Sequence, residues 1–209
     1  ILAALLLASP LAQAQTCTII IGGIESAAEA ALKEALDGDG TADAQPGDVV
    51  CLSVDVTLDT APENPLSVDV SGTAANPITV CGGSVACGDL NDASGLPTIT
   101  IGNGAADDLV EVTGSNLIIR DLRFNPDATA AQVIPIGIEV GPGTAAPVNV
   151  SLINLRFLDA AADDYTTAAV VLDGASGTAS RIRVEATATS GDCVQVTAGT
   201  YTVEGNTLR

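Results

Sequence analysis

One feature limits what this chain can fold into: a two-strand unit that recurs four times. Leu109-Val-Glu-Val112, Gly137-Ile-Glu-Val140, Ala169-Val-Val-Leu172 and Cys193-Val-Gln-Val196 are short apolar runs of one type, beginning 28, 32 and 24 residues apart. Each precedes a run of a second type: Leu117-Ile-Ile-Arg-Asp-Leu-Arg-Phe124, Val150-Ser-Leu-Ile-Asn-Leu-Arg-Phe157, Ile182-Arg-Val-Glu-Ala-Thr-Ala-Thr189 and Tyr201-Thr-Val-Glu-Gly-Asn-Thr-Leu208. Ser-Gly, Pro-Gly and Gly-Ala-Ser turns separate them. Short strands repeating at this period imply a solenoid, because each coil can bury its open edges only against the next. The expectation is an all-β, right-handed parallel β-helix with a short N-terminal capping α-helix. An antiparallel β-sandwich is the competing arrangement, since its strands also come every 8–12 residues or so, but a sandwich has no reason to repeat one two-strand unit four times. Two inward columns are expected: Ile119, Leu152, Val184 and Val203 in one, and Phe124, Phe157, Thr189 and Leu208 in the other. A slip of one residue would turn either column outward.

Composition agrees with a narrow, repetitive interior. The 209 residues include two Phe, two Tyr and no Trp, so the core must be built from small branched side chains, which stack well on pleated strands. The formal net charge is −19, with 26 acidic and 7 basic residues. Nothing here resembles the basic footprint of a nucleic-acid-binding protein. The acidic excess fits solubility, a saline habitat or calcium binding.

The first stretch, Ile1 to Gln15, is an apolar run ending in Ala12-Gln13-Ala14, the pattern of a signal peptide cleaved after Ala14. Residues 1–14 are therefore expected to be a signal peptide, 15–75 an N-terminal cap with a first rung, and 76–209 further rungs. No other segment is apolar enough to span a membrane. The start at Ile1 and the strand-like end at Arg209 suggest a piece of a longer protein, secreted or held at the cell surface after bacterial export.

Ser26-Ala-Ala-Glu29 reads as a capping box opening a helix to about Leu36. Ala28, Leu32, Ala35 and Leu36 fall on one face of that helix, Glu29 and Lys33 form an i,i+4 pair, and Gly38 sits where a C-terminal cap belongs. Export permits disulfides. Cys81 and Cys87 bracket a Gly-rich turn and form one candidate pair; Cys17 and Cys51 lie in early apolar runs and form another. Cys193 is then single, although other connectivities remain open. With no His in the chain and no C-x-x-C motif, a zinc site is not expected.

Ser71-Gly-Thr-Ala-Ala-Asn-Pro-Ile-Thr-Val80, Pro97-Thr-Ile-Thr-Ile101 and Val112-Thr-Gly-Ser-Asn-Leu-Ile-Ile-Arg-Asp-Leu-Arg-Phe124 resemble the N-terminal rungs of secreted pectin-lyase-fold proteins, nearest the branch of chondroitinase-B and alginate-lyase-like enzymes. The resemblance covers roughly residues 24 to 209. It implies a polysaccharide-active or polysaccharide-binding protein, although many coils of this kind have no known catalysis. Lyases of that branch use a Lys base, an Arg and often calcium, because the uronate carboxylate must be neutralised before its neighbouring carbon loses a proton. The only Lys here, Lys33, lies on the cap helix, so no catalytic pair maps onto this chain and a lyase site would belong to later coils. The other reading is a non-catalytic surface or adhesion stalk that contacts cells or matrix.

Two weaker candidates come from the residues themselves. Arg123 and Arg156 share a register and would form a two-step basic ladder on the outside of the coil. The ladder would contact an acidic polysaccharide or pair with nearby carboxylates such as Asp121 and Asp159. Ala105-Ala-Asp107-Asp108 and Ala161-Ala-Asp163-Asp164 are matching turns whose paired carboxylates could hold calcium or simply be solvated. No other cofactor is evident.

Overall fold

The computed structural model describes residues 15–40, 42–58, 65–88, 95–101, 108–126, 136–143, 145–158, 167–173, 175–185 and 192–208. The expected signal peptide and Thr189 lie outside the described residues. The named strands pair only in parallel, which excludes the antiparallel sandwich: the fold is a parallel β-helix.

Each coil contributes one strand to a five-stranded sheet and a bent strand, or two short ones, to an eleven-stranded sheet. The five are β4 (Leu66–Val68), β7 (Asp108–Val112), β9 (Ile136–Val140), β11 (Ala168–Leu172) and β14 (Asp192–Val196). Val110, Ile138, Val170 and Val194 are successive partners there, as the sequence repeat requires. The larger sheet opens with β1 (Ile19–Ile21), β2 (Val49–Leu52), β3 (Val56–Leu58), β5 (Ile78–Gly82) and β6 (Thr98–Ile101). It continues through β8 (Leu117–Pro126), β10 (Val150–Leu158), β12 (Ala175–Ser180), β13 (Arg183–Glu185), β15 (Gly199–Glu204) and β16 (Thr207–Leu208).

A bend makes two faces of this sheet. The first half of β8 pairs with β5, whereas its second half pairs with β6. Asp121 sits at the bend with φ 55°, and Asn154, Arg181 and Gly205 occupy the same place in the next three coils with φ 54°, 56° and 64°. Asp and Asn enter the left-handed region more readily than other side chains, and Gly does so freely. A second left-handed column, Asn116 (φ 55°) and Asn149 (φ 56°), turns the chain into β8 and β10. Asn149 Nδ2 donates to Asn116 Oδ1 at 3.0 Å, and Asn116 Nδ2 donates to the Gly72 carbonyl at 3.2 Å. These side chains bond up the stack where the turning backbone leaves groups unpaired.

The inward columns differ from the sequence expectation. Ile119 and Leu152 are partnered by Ala179 and then Val203, but in this last coil Val203, expected inside, is 44% exposed. Val184 instead joins Phe124 and Phe157, with Leu208 as its register partner in the next coil. The Ala-Ser-Gly-Thr-Ala-Ser run, which looks like a turn by composition, is strand β12; it takes up the first half of the coil and pushes Ile182-Arg183-Val184 into the second. Gly177 on that strand is sterically required, because a Cβ there would lie 1.8 Å from the Val150 carbonyl oxygen. Phe124 and Phe157 stack with ring centroids 5.1 Å apart and planes 17° apart, both fully buried.

Helix α1 (Glu25–Leu36) closes the N-terminal end of the coil. Its Leu32 and Leu36 share an apolar interior space with Leu66, Val80, Ile99 and Phe124. Its last carbonyl, of Leu36, accepts from the amides of Asp69 (2.8 Å) and Val70 (3.3 Å), tying the helix end to the coil. The capping box is not formed. The N-cap is Ile24, with no side-chain cap, and Ser26 lies inside the first turn. Thr57 Oγ1 donates to the Glu25 carboxylate, which anchors the helix one residue earlier. Glu29, expected to reach back to the cap, is buried and bonds Lys33 Nζ at 2.7 Å. The Glu29–Lys33 pair and the left-handed Gly38 (φ 72°) follow the sequence reading.

The stacked phenyl pair joins two successive coils through two of the largest fully buried side chains among the described residues. Replacing Phe157 with Ala removes the stack and leaves a cavity, so we expect denaturant unfolding to show a loss of about 3–5 kcal/mol. A loss below about 1 kcal/mol would show that the column relaxes around the gap.

Candidate functional site

The bend that divides β8 and β10 also aims the arginines. In three successive coils an Arg follows the left-handed residue by two positions: Arg123 after Asp121, Arg156 after Asn154 and Arg183 after Arg181. Arg123 and Arg156 are register partners, and Arg156 is in turn the partner of Arg183. The flanking residues, Leu122 and Phe124, Leu155 and Phe157, Ile182 and Val184, are all buried. Alternation therefore places the three arginines on the outer surface of the sheet. Strand spacing separates neighbours by about 4.8 Å. The expected two-step ladder thus has a third step. Ile182-Arg183-Val184 carries the same apolar–Arg–apolar signature as the other two, and it reaches this register because β12 occupies the first half of its coil.

All three side chains are half-buried with their Nε atoms shielded from solvent. Arg123 Nε meets no acceptor among the described residues. Beside Arg123 opens a cleft of about 250 Å³, lined by Ser53, Val54, Asp55, Gly95, Leu96 and Pro97. Asp55 Oδ1 accepts from the Thr98 amide at 2.7 Å, and the Arg123 amide bonds the Pro97 carbonyl at 3.0 Å, so the rim is fixed to the coil by backbone groups. Asp55 was not singled out in the sequence, where it is one acidic residue among many.

Asp121, a suggested partner of the arginines, is committed elsewhere. Its carboxylate accepts from Arg120 Nε at 2.5 Å and from Asn154 Nδ2 at 2.7 Å, and the residue is 5% exposed. It holds the bend and does not neutralise the column. Asp107, Asp163, Asp164 and Asp159 lie outside the described residues. Asp108 opens β7 opposite Ile136. Lys33 is bound to Glu29 on the cap helix, remote in the chain from the arginine column.

Disulfides join Cys17 to Cys51 and Cys81 to Cys87, and Cys193 is free. Burial pushes the Cys193 thiol up, with a smaller opposing effect from the Thr207 backbone. Tyr201, the strand partner of Gly177, packs against the core. Burial, and then the Asp173 carboxylate, push its phenol up to about 12.

This register defines the protein as a parallel β-helix protein with an outward arginine column. No protein-family model matches the chain, and no curated protein matches it. Among solved structures, an alginate lyase from Paenibacillus sp. str. FPU-7 is similar at a TM-score of 0.39 and 12% identity, over 92% of this chain and 96% of that one. A likeness that low carries no argument, and the fold stands on the strand pairing. No helix among the described residues is long and apolar enough to cross a membrane.

The raised Tyr201 pKa means that the unfolded chain loses this proton first on alkalinisation. Its contribution to stability is therefore full below the ordinary phenol value and is lost as pH rises from about 10 to about 12. We expect the melting temperature to fall across that window and the fall to be smaller in Tyr201→Phe. An identical fall in both proteins would remove Tyr201 as its source.

Proposed function

We propose that this chain is an exported β-helix scaffold that binds acidic polysaccharide along the outer column Arg123, Arg156 and Arg183. The observation that carries this reading is the column itself. Three of the chain's 7 basic residues are spaced at the coil repeat on one straight line. Arg presents a planar fork of donors suited to carboxylates, and a regular array of fixed cations matches a polymer with regularly placed anions. The cleft beside Arg123, with Ser53 and backbone groups at its rim, offers room for a sugar ring at one end of the line. Export is supported by the leader-like first stretch and by two disulfides, which persist in oxidising compartments.

Binding without turnover is the form of this activity expected of the chain. A uronate lyase needs a base near the anchored carboxylate, and Lys33 is held by Glu29 on the cap helix. That observation also favours the second reading, a non-catalytic stalk that contacts the surface of a cell or its matrix. Polysaccharides of both readings share one chemistry, a repeating carboxylate or sulfate.

Calorimetric titration with polyguluronate, polygalacturonate and neutral dextran tests the proposal. We expect binding to the acidic polymers that weakens with salt, and a loss of at least about tenfold in Kd in the Arg123→Gln/Arg156→Gln variant. No unsaturated uronate should accumulate. Equal affinity for dextran, or unchanged affinity in the double variant, would sink the proposal.

A further inference from the structure

The two disulfides are packed sulfur against sulfur. Cys51 on β2 and Cys81 on β5 are register partners, and their Sγ atoms are 3.5 Å apart although they belong to different bonds. The Sγ atoms of Cys51, Cys81 and Cys87 all lie within 4.8 Å of one another. An antiparallel bridge between Thr16 and Ala86 holds the fourth member nearby: the Cys17 amide bonds the Val85 carbonyl and the Cys87 amide bonds the Gln15 carbonyl, each at 2.9 Å. Burial is uneven. Cys51 and Cys81 are 0% exposed and Cys87 is 6% exposed, whereas Cys17 is half-buried. Of the four residues, Cys17 is the most exposed.

We propose that Cys17 is a site of covalent modification by low-molecular-weight thiols, with the three sulfurs behind it acting as an exchange relay. The incoming thiolate bonds Cys17 Sγ as the Cys17–Cys51 bond breaks, and the electron pair leaves on Cys51. A thiolate in an apolar pocket is unfavourable, and this one is already in contact with the next disulfide. Cys51 then bonds Cys81 as the Cys81–Cys87 bond breaks. The electron pair leaves on Cys87, at the edge of the cluster, which takes a proton from water. Two disulfides and one thiol enter, and two disulfides and one thiol result, so no oxidant or reductant is consumed.

The product is geometrically accessible. Adjacent parallel strands run about 4.8 Å apart, inside the roughly 4.4–6.8 Å Cα range that a disulfide spans. The Cys51 sulfur lies to the side of the Cys81–Cys87 bond, since all three atoms are within 4.8 Å of one another. The freed Cys51 side chain must therefore first rotate into line with that bond; its position on the neighbouring strand then favours it over a further thiol from solution. The staple thereby moves from the N-terminal segment into the coil itself, between β2 and β5, and Cys17 becomes a surface attachment point.

The test uses the intact oxidised chain in a Cys193→Ser background. It is exposed to reduced glutathione, quenched in acid, alkylated and mapped by peptide mass spectrometry. The expected majority product carries glutathione on Cys17, a Cys51–Cys81 disulfide and an alkylated Cys87. Alkylated Cys51 with Cys81–Cys87 intact would overturn the relay, and glutathione first on Cys81 or Cys87, or no reaction of the folded protein, would overturn Cys17 as the entry. A Cys17→Ser chain provides a second reading that needs no added thiol. Its lone Cys51 thiol is expected to displace Cys87, so that alkylation appears on Cys87; alkylation confined to Cys51 would again exclude the relay.

Discussion

The structure depends on one constraint, the parallel pairing of each coil with the next. A β-strand presents unpaired N–H and C=O groups along both edges, and here the strands of each coil satisfy the edges of its neighbours. Because side chains alternate with a period of two, fixing the pairing fixes every inward column at once. Val110, Ile138 and Val170 fill one such column, and Ile99, Phe124, Phe157 and Val184 another. Helix α1 finishes the N-terminal end, where an open rung would otherwise expose its apolar interior and backbone edge.

The left-handed bends convert a flat ladder into a coil. Asp121, Asn154, Arg181 and Gly205 reverse the local backbone at one height in four coils, and the strand halves on either side then face different directions. A non-glycine residue there costs roughly 1–2 kcal/mol, which the surrounding structure must offset. At Asp121 it is offset by bonds from Arg120 and Asn154, and at the other turn by the Asn116–Asn149 bond. The same bends set the surface chemistry, since the residue two places later in each of three coils is an arginine.

Charge explains why that column stands out. A chain with a net charge of −19 repels acidic polymers at long range, so a cationic contact works only where its charges are concentrated and held. Screening shortens that repulsion to about 8–10 Å in physiological salt. Rigidity also shapes the sulfur cluster. Cys51 and Cys81 precede the bend on neighbouring strands, and register alone brings two covalently separate bonds into contact.

The sequence by itself determined the solenoid, because the Val110, Ile138, Val170 and Val194 repeat and the shared Leu-Arg-Phe runs encode a local period that only stacked coils can bury. It also determined the cap helix's buried face and the alignment of Arg123 with Arg156. Tertiary structure decided what depends on partners distant in the chain. Ala175–Ser180 has turn-like composition, yet it is a strand because Val150 and Tyr201 flank it in the stack. Glu29 abandons the capping box because the helix packs that side inward, where Lys33 is its charge partner. Arg183 joins the column, and Cys51 meets Cys81, only through register, and register is set by hydrogen bonds between residues some thirty positions apart that leave no mark in local sequence.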